Sequence, residues 1–223
     1  MDQRPRTDQG RRTKDQGPSM DDPTRAGGIV LCGGASSRMG TAKALLPFGD
    51  ETMLQRTVRL LAMVVEPVVV AAAPGQTLPT LPSSTLIARD GVAGEGPLEG
   101  LRVAFETLPP ETTHAYVTGC DAPLIQPAFV AKMLELSQEY DIVVVDVDGR
   151  LHPLSAVYRR TVLPYIDALL GARQRRLTSL LDAVSTRRVH AQEVASADPE
   201  LLTLRNVNTP AEYRDALSRA GLT

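Results

Sequence analysis

The chain has 223 residues, of which 43% are hydrophobic and 22% are charged. This composition is typical of a globular domain and excludes a fibrous or wholly disordered chain. The formal net charge of −2 gives no basic field for a nucleic-acid partner, so a phosphate-rich substrate would need a local positive site.

Cysteine usage and apolar patterning indicate the compartment. Cys32 and Cys120 are the two cysteines, and they show neither zinc-site spacing nor a disulfide framework, which favours a reducing environment. No apolar stretch is long enough to cross a bilayer, and the N-terminal region lacks the apolar segment of a secretory signal. We therefore expect a cytoplasmic protein without a membrane contact.

The N-terminal segment differs in composition from the rest of the chain. Residues 1–26 combine Arg, Lys, Asp, Gln, Pro and Gly with almost no apolar side chains, which is typical of a disordered tail. Met20 is an alternative start. We expect residues 27–223 to form a single domain.

Strands and helices alternate through this domain. Strands are predicted at 28–32, 68–73, 86–88, 115–119, 142–147 and 155–158, with short ones near Arg188 and Leu202. Helices are predicted at 52–65, 98–108, 127–140, 161–170 and 177–184, and a last one after Pro210. The alternation predicts an α/β fold with a doubly wound, mostly parallel sheet and helices on both faces. Ligands of such sheets bind at the carboxyl ends of the strands.

The segment after the first strand carries a group of phosphate-binding residue types. Gly33 and Gly34 allow a tight turn and a close backbone approach to a ligand, and Ser36 adds a hydroxyl donor. Arg38 can grip phosphate oxygens with its planar fork, and Lys43 adds a point charge. The spacing fits neither a Walker A loop nor the dinucleotide fingerprint. An ordinary glycine turn is the alternative, but the two basic residues favour a phosphate-binding loop.

An aspartate follows the strand predicted at 115–119. Asp121 therefore lies at the carboxyl edge of the sheet, where ligands bind. Mg²⁺ is commonly held by one or two carboxylates together with substrate phosphates. The alternative is an Asp that caps the turn before Pro123. Together with the glycine loop, the position favours a metal-binding Asp121.

Several motifs resemble one family. The pattern G-G-x-S-x-R-M-G-x-x-K-A-L-L, which runs from Gly33 to Leu46, resembles the signature loop of NTP transferases that make nucleotide-activated cofactors and sugars. Its Lys-Ala-Leu-Leu ending is similar to that of the molybdenum cofactor guanylyltransferases of the MobA type. The Cys-Asp-x-Pro segment at Asp121 and the N-x-N-T-P segment that begins at Asn206 match as well. The resemblance covers residues 27–217 and implies a Rossmann-like nucleotidyltransferase fold.

The resemblance also implies a set of site residues. It implies Arg38, Lys43 and Asp121 as catalytic residues, with Asp121 as the metal ligand. The residues expected to bind the nucleotide and the pterin cofactor are Leu31, Cys32, Gly33, Gly34, Ser36, Lys43, Asp90, Gly96, Pro97, Asp121, His152, Arg176, Asn206 and Asn208. A merely structural His152 and a solvated loop around Arg176 are the alternatives at those positions. Family members often have Asn after the second strand, where this chain has the residues 71–73, all alanine.

The predicted reaction is transfer of GMP from GTP to molybdopterin cofactor, giving molybdopterin guanine dinucleotide and pyrophosphate. The expected cofactor is Mg²⁺, with Mn²⁺ as an alternative. Three other functions remain open: a cytidylyltransferase that uses CTP, a nucleotidyltransferase with a sugar-phosphate acceptor, and a non-catalytic molybdopterin carrier. The resemblance further implies transient contact with molybdoenzymes or their chaperones. The net charge and the lack of a long apolar stretch predict no nucleic-acid and no membrane partner.

Overall fold

The computed structural model describes residues 26–33, 42–89 and 96–222. Its strands are β1 (Ala26–Leu31), β2 (Pro47–Phe48), β3 (Glu51–Thr52), β4 (Val68–Ala72), β5 (Leu86–Arg89), β6 (His114–Gly119), β7 (Ile142–Val147), β8 (Arg150–Arg159) and β9 (Thr186–His190). Its α-helices are α1 (Met53–Leu61), α2 (Pro97–Thr107), α3 (Pro127–Glu135), α4 (Leu163–Gly171), α5 (Leu177–Leu181), α6 (Ala191–Val194) and α7 (Pro210–Arg219). None of the helices in these ranges has the length and apolarity that a membrane-spanning helix needs.

Seven strands form one sheet in the order β5-β4-β1-β6-β8-β7-β9. Neighbouring strands run parallel except at β8, which pairs antiparallel with both β6 and β7. The predicted mostly parallel sheet is therefore confirmed. From β1 the chain winds outward to β4 and β5 and then returns to β6 on the other side of β1. The topological switch point, where sheets of this kind bind ligands, lies between β1 and β6.

Helices cover both faces of the sheet, as predicted. On one face α1, α3 and α6 pack over one apolar cluster, and on the other α2, α4 and α5 pack over a second. Gly28 on β1 brings α1 close to the sheet, because an added Cβ there would lie only 2.6 Å from Leu61 Cδ2. A side chain at this position would push the helix away.

A third apolar cluster lies under α7, beside the carboxyl edge of the sheet. It consists of Phe48, Met53, Leu124, Val207 and Ala216. Its members come from the β2–β3 hairpin, α1, the segment after β6, the segment before α7 and α7 itself. The cluster thereby fastens the C-terminal helix to the edge where ligands are expected.

Some predicted elements differ from the observed ones. The strand expected near Leu202 is wrong, because residues Leu202–Leu204 form a 3-10 helix. The buried Asp198 carboxylate accepts the backbone N–H groups of Leu202 at 2.9 Å and Thr203 at 2.8 Å, which satisfies that turn locally. The β2–β3 hairpin and α6 were not predicted, since elements of two to four residues carry no readable periodicity. Finally, α1 ends at Leu61 and α3 at Glu135, both earlier than expected.

Candidate functional site

The switch point brings two sequence motifs side by side. Leu31 of β1 is in register with Gly119 of β6, and Cys120 N donates to Leu31 O at 3.1 Å. Gly33 and Asp121, two residues further along each strand, therefore lie at the same edge of the sheet. Gly33, at which the glycine loop begins, and Asp121 are neighbours for this reason.

Lys43 contacts both Asp121 and Asn208. Lys43 Nζ donates to Asp121 Oδ2 at 2.9 Å and to Asn208 Oδ1 at 2.7 Å. The Lys43 and Asp121 side chains are each 17% exposed. The three residues come from three separate motifs of the sequence and form a cation–carboxylate–amide cluster at the switch point.

The segment before α7 is tied to this cluster through its backbone. Val207 N donates to Asp121 O at 2.8 Å. Glu212 Oε2 accepts the backbone N–H groups of Asn208 at 2.7 Å and Thr209 at 2.9 Å, and the Thr209 hydroxyl accepts from Glu212 N, which completes a capping box. The capping predicted for α7 is observed. It also fixes the backbone that carries the Asn208 amide.

Arg56 supports the same corner and was not predicted. Its Nε donates to Pro123 O at 2.8 Å, and its guanidinium lies 5.0 Å from the centre of the Phe48 ring. The contact anchors the segment directly after Asp121 to α1. Nothing in the local sequence distinguishes Arg56 from Arg59, the other arginine of α1, so only the fold could reveal this role.

The two cysteines are buried beside the site as free thiols. A hydrogen bond between the two side chains lowers the pKa of the Cys32 thiol, although burial opposes the shift. The same hydrogen bond and burial raise the pKa of Cys120 well above its ordinary value. Cys120 therefore stays protonated and donates to Cys32, and the pair serves as packing between β1 and β6.

Gln76 is a second residue that the sequence analysis missed. Its Nε2 donates to Cys32 O at 2.8 Å, and its Oε1 accepts from Ala73 N at 3.0 Å. Arg89 Nη1 donates to Ala73 O at 2.8 Å from the other side. These bonds join the ends of β1, β4 and β5. The corner at residues 71–73, which are all alanine, is thus stiffened by the polar side chain of Gln76. Gln76 directly follows a Pro-Gly turn, where no helix or strand period predicts which way a side chain points.

Asn206, Asn208 and His152 line one cavity of about 260 Å³ at the same edge. The other lining residues are Leu124, Arg150, Leu204, Arg205, Val207, Glu212, Asp215 and Ala216. Burial first, and then the charge of Arg150, lower the pKa of His152 below its ordinary value. His152 is therefore a neutral hydrogen-bonding group near pH 7. The charged side chains of the cavity are two arginines, Arg150 and Arg205, and two carboxylates, Glu212 and Asp215.

Gly96, Pro97 and Arg176 lie elsewhere. Gly96 has φ +86° and leads into Pro97 at the first turn of α2, which starts at the carboxyl edge on the β4–β5 side. An added Cβ at Gly96 would lie 3.4 Å from both Cβ and O of Arg175, so the basic turn before α5 passes beside the start of α2. Arg176 is exposed and does not line the cavity that holds His152. Gly34, Ser36, Arg38 and Asp90, which the sequence analysis assigned to the site, lie outside the described residues.

Comparison with known proteins gives consistent matches over most of the chain. Residues 28–190 match the family model described as the MobA-like NTP transferase domain. A protein of Mycobacterium avium named probable molybdenum cofactor guanylyltransferase is 39% identical over 208 residues, which are 90% of this chain and 99% of that protein. A protein of the same name from Mycobacterium tuberculosis is 39% identical over 82% of this chain and 89% of its own length.

Solved structures share the fold at low sequence identity. The molybdopterin-guanine dinucleotide biosynthesis protein A of Archaeoglobus fulgidus matches with a TM-score of 0.73 and 16% identity, over 88% of this chain and 100% of that one. A Mycobacterium tuberculosis protein solved in complex with manganese matches with a TM-score of 0.59 and 19% identity, over 86% of this chain and 98% of its own. These likenesses confirm the architecture.

Proposed function

Because the chain belongs to the MobA-like NTP transferase family, we propose that it transfers GMP from GTP to molybdopterin cofactor and releases pyrophosphate. Its identity of 39% to proteins named molybdenum cofactor guanylyltransferase, over nearly their whole length, supports this choice of substrates. The product is molybdopterin guanine dinucleotide. The dinucleotide must then reach a molybdoenzyme, so the proposal includes a transient contact with that enzyme or its chaperone.

The observation that carries the proposal is the meeting of Lys43, Asp121 and Asn208. The overall charge of the chain is slightly negative, so a polyphosphate must be held locally. Lys43 is a cation beside the end of β1, at the point where this class of sheet binds ligands. Asp121 next to it can hold a second cation, and Asn208 connects the pair to the cavity. The cluster suits a reaction between two phosphorylated molecules.

The chemistry needs charge neutralisation more than proton transfer. An oxygen of the acceptor phosphate attacks the α-phosphorus of GTP. The bond from that phosphorus to the oxygen that bridges the α- and β-phosphates breaks, and pyrophosphate leaves with that oxygen. The attacking oxygen is already anionic, so no protein base has to remove a proton. Lys43 balances negative charge around the α-phosphate, and the fixed positions of the two substrates supply the remaining advantage.

A divalent cation fits the donor set at Asp121. The carboxylate already accepts a cation, the Lys43 ammonium, at 2.9 Å. The described residues contain no group of three or more His, Cys, Asp or Glu side chains that could hold a metal ion without substrate. One carboxylate plus phosphate oxygens is the usual way in which Mg²⁺ is held beside a nucleotide, and we assign Mg²⁺, or Mn²⁺ in its place, to Asp121. When bound, the ion supplies further neutralisation of the phosphate charge.

We assign the acceptor to the cavity between β8 and α7. The cavity of about 260 Å³ has groups that suit a pterin phosphate: the amides of Asn206 and Asn208, the neutral His152, and the guanidinium groups of Arg150 and Arg205. Its two carboxylates already have partners, because Glu212 accepts backbone N–H groups and Asp215 pairs with Arg219 and Arg205. Arginine forks match phosphate oxygens well. The acceptor therefore approaches Asp121 from the side of Asn208.

We assign the nucleotide to the opposite side, over β1 and the start of α2. Gly33 leaves room for the triphosphate at the end of β1, where no atom of residues 26–33, 42–89 or 96–222, apart from the chain neighbours, lies within 4 Å of an added Cβ. The first turn of α2 begins at Gly96 and Pro97, and its backbone N–H groups are available to the nucleotide. Many family members have an asparagine in the nucleotide pocket where residues 71–73 of this chain carry no polar side chain. Here backbone groups at the ends of β1 and β4, held by Gln76, take over the contacts of that asparagine with the nucleotide.

Pyrophosphate release tests the proposal directly. GTP, CTP, ATP and UTP are each supplied with and without molybdopterin and Mg²⁺, using wild type, Asp121→Ala and, as a matched control far from the site, Lys132→Gln. We expect release with GTP that requires both the acceptor and Mg²⁺, is lost in Asp121→Ala and is unchanged in Lys132→Gln. A preference for CTP would replace the guanylyl assignment by the cytidylyl one. Silence with all four nucleotides, or full turnover by Asp121→Ala, would contradict the mechanism.

A further inference from the structure

The two oxygens of the Asp121 carboxylate have different surroundings. Oδ1 lies against the backbone of Gly119, so close that an added Cβ on that residue would be 2.5 Å away. Oδ2 accepts from Lys43 Nζ at 2.9 Å. Because Oδ1 is packed against β6, Oδ2 is the oxygen on which a cation is placed, and the Lys43 ammonium is there.

Lys43 is held in this position from two directions. Its ammonium also donates to Asn208 Oδ1 at 2.7 Å, and the Asn208 backbone is fixed by Glu212. Lys43 follows a segment that begins at Gly33, Asp121 follows β6, and Asn208 precedes α7, so the fold as a whole sets the contact. Only 17% of each charged side chain is exposed. The pair is therefore a built feature of the site and not a chance contact between surface charges.

We infer that Lys43 shields the metal-binding oxygen of Asp121 until nucleotide phosphates draw the ammonium away, so that the divalent cation binds with the nucleotide or after it. The inference rests on the proposed function, since it takes Asp121 as the metal ligand. A divalent ion on Oδ2 would lie beside a fixed like charge, and the two cations would repel each other at short range. The free protein should hold the metal weakly for this reason.

Nucleotide binding removes the repulsion between the Lys43 ammonium and the metal ion without a large movement of the side chain. A phosphate oxygen is a strong charge-assisted acceptor for an ammonium, which has three donors. Lys43 can keep its bond to Asn208 while it exchanges the Asp121 oxygen for a phosphate oxygen. The exchange frees Oδ2 at the moment when the phosphates can supply the other ligands of the metal. The cluster thus sets the order in which the nucleotide and the divalent cation bind.

The test is a titration of each protein with Mn²⁺ alone, in which the signal of free aqueous Mn²⁺ is followed by electron paramagnetic resonance. Lys43→Gln removes the charge and keeps a polar chain, Lys43→Met is a second variant in case the first packs poorly, and Lys132→Gln is the same substitution on the outer surface of α3. We expect wild type and Lys132→Gln to bind Mn²⁺ weakly and the Lys43 variants to bind it about tenfold more tightly or better. Adding Asp121→Asn to Lys43→Gln should remove the gain.

Other results would overturn the inference or the proposed function separately. Equal Mn²⁺ affinity of wild type and both Lys43 variants, whether weak or tight, overturns the shielding by Lys43. A titration in the presence of an α,β-methylene analogue of GTP then checks the metal site itself. If Mn²⁺ binding with the analogue is reduced by Asp121→Asn, the metal assignment stands while the shielding is wrong. If Asp121→Asn leaves that binding unchanged, the metal assignment of the proposed function fails.

Discussion

The direction of the Asp121 carboxylate depends on the absence of a side chain at residue 119. An added Cβ at Gly119 would lie 2.5 Å from Asp121 Oδ1 and 3.8 Å from Leu154 Cδ1. Gly119 is the last residue of β6, and its backbone has no positive φ, so other residues can adopt it. A methyl group here would therefore displace the carboxylate and leave the strand in place.

We predict that Gly119→Ala separates activity from stability. The carboxylate is the mobile end of a side chain, so it can turn away at a cost in unfolding free energy of at most about 1 kcal/mol. The turnover number should fall by on the order of a hundredfold, because catalysis by positioning is sensitive to displacements of about 1 Å. Pyrophosphate release and urea unfolding measure the two quantities. Gly171→Ala is the matched control, since its added Cβ would have no atom within 4 Å among the described residues outside its own helix. Full activity of Gly119→Ala would mean that the carboxylate orientation is unimportant.

At the scale of the element, α7 serves the site through its first turn. Its capping box joins Thr209 and Glu212, and the same Glu212 oxygen holds Asn208, whose amide contacts Lys43. The backbone N–H of Asn208, followed by the contacts with Thr209, lowers the pKa of Glu212. A carboxylate with a lowered pKa contributes stability above its unfolded pKa of about 4.3, and this contribution is lost as the pH falls through the lower folded value. The cap is therefore fully formed near neutral pH.

We predict that Glu212→Ala impairs turnover beyond its effect on stability. Loss of the cap should reduce the unfolding free energy by about 1 kcal/mol. Glu193→Ala, which removes the corresponding residue of the capping box of α6, should cost a similar amount and leave activity unchanged. Because Glu212 acts through Asn208, the kinetic effects of Glu212→Ala and Asn208→Ala should not add in the double variant. Equal activity of the Glu212 and Glu193 variants, or additive losses in the double variant, would show that Glu212 only caps the helix and does not position Asn208.

At the scale of the molecule, the sequence predicts those parts of the fold that repeat a clear period. The buried strand at 142–147 was predicted with its observed bounds, and the edge that binds ligands followed from the strand–helix alternation. The extent of β8 was not predicted beyond 155–158. Its first two residues, Arg150 and Leu151, pair with β7 across an Asp148-Gly149 turn in which both residues have positive φ. The alternation of polar and apolar residues is weak in this segment, and the Asp-Gly pair is the local signal from which the hairpin could have been predicted.

Site prediction has a similar limit. Lys43 stands out as a cation shortly after a glycine-rich segment, and Asp121 as a carboxylate just after an apolar strand. Gln76 and Arg56 act through single hydrogen bonds to backbone carbonyls of distant segments, Cys32 and Pro123. Such bonds leave no mark on neighbouring residues. They can be recognised only once the folded structure shows that the two segments are close together.

At the scale of the whole molecule, the two substrates are proposed to bind on opposite sides of the Lys43–Asp121 pair. The start of α2 lies on one side, and its first intrahelical bond is the one from Gly100 N to Gly96 O, at 3.4 Å. The N–H groups of Leu98 and Glu99 precede that bond, so they lack helix partners and should exchange rapidly with solvent. The cavity lined by His152 and Asn206 lies on the other side, between β8 and α7.

Hydrogen exchange measured by mass spectrometry therefore distinguishes the two binding regions. We predict that a non-hydrolysable GTP analogue with Mg²⁺ slows exchange in residues 96–101 and has little effect on 150–153. Molybdopterin should slow exchange in 150–153 and 204–208, because its phosphate is held by the arginines and amides of the cavity. Residues 132–139, at the far end of α3, are an internal reference that neither ligand should change. Protection of 150–153 by the GTP analogue alone, with none in 96–101, would reverse the assignment of the two sides, and the roles of Arg150 and the α2 N-terminus would then have to be exchanged.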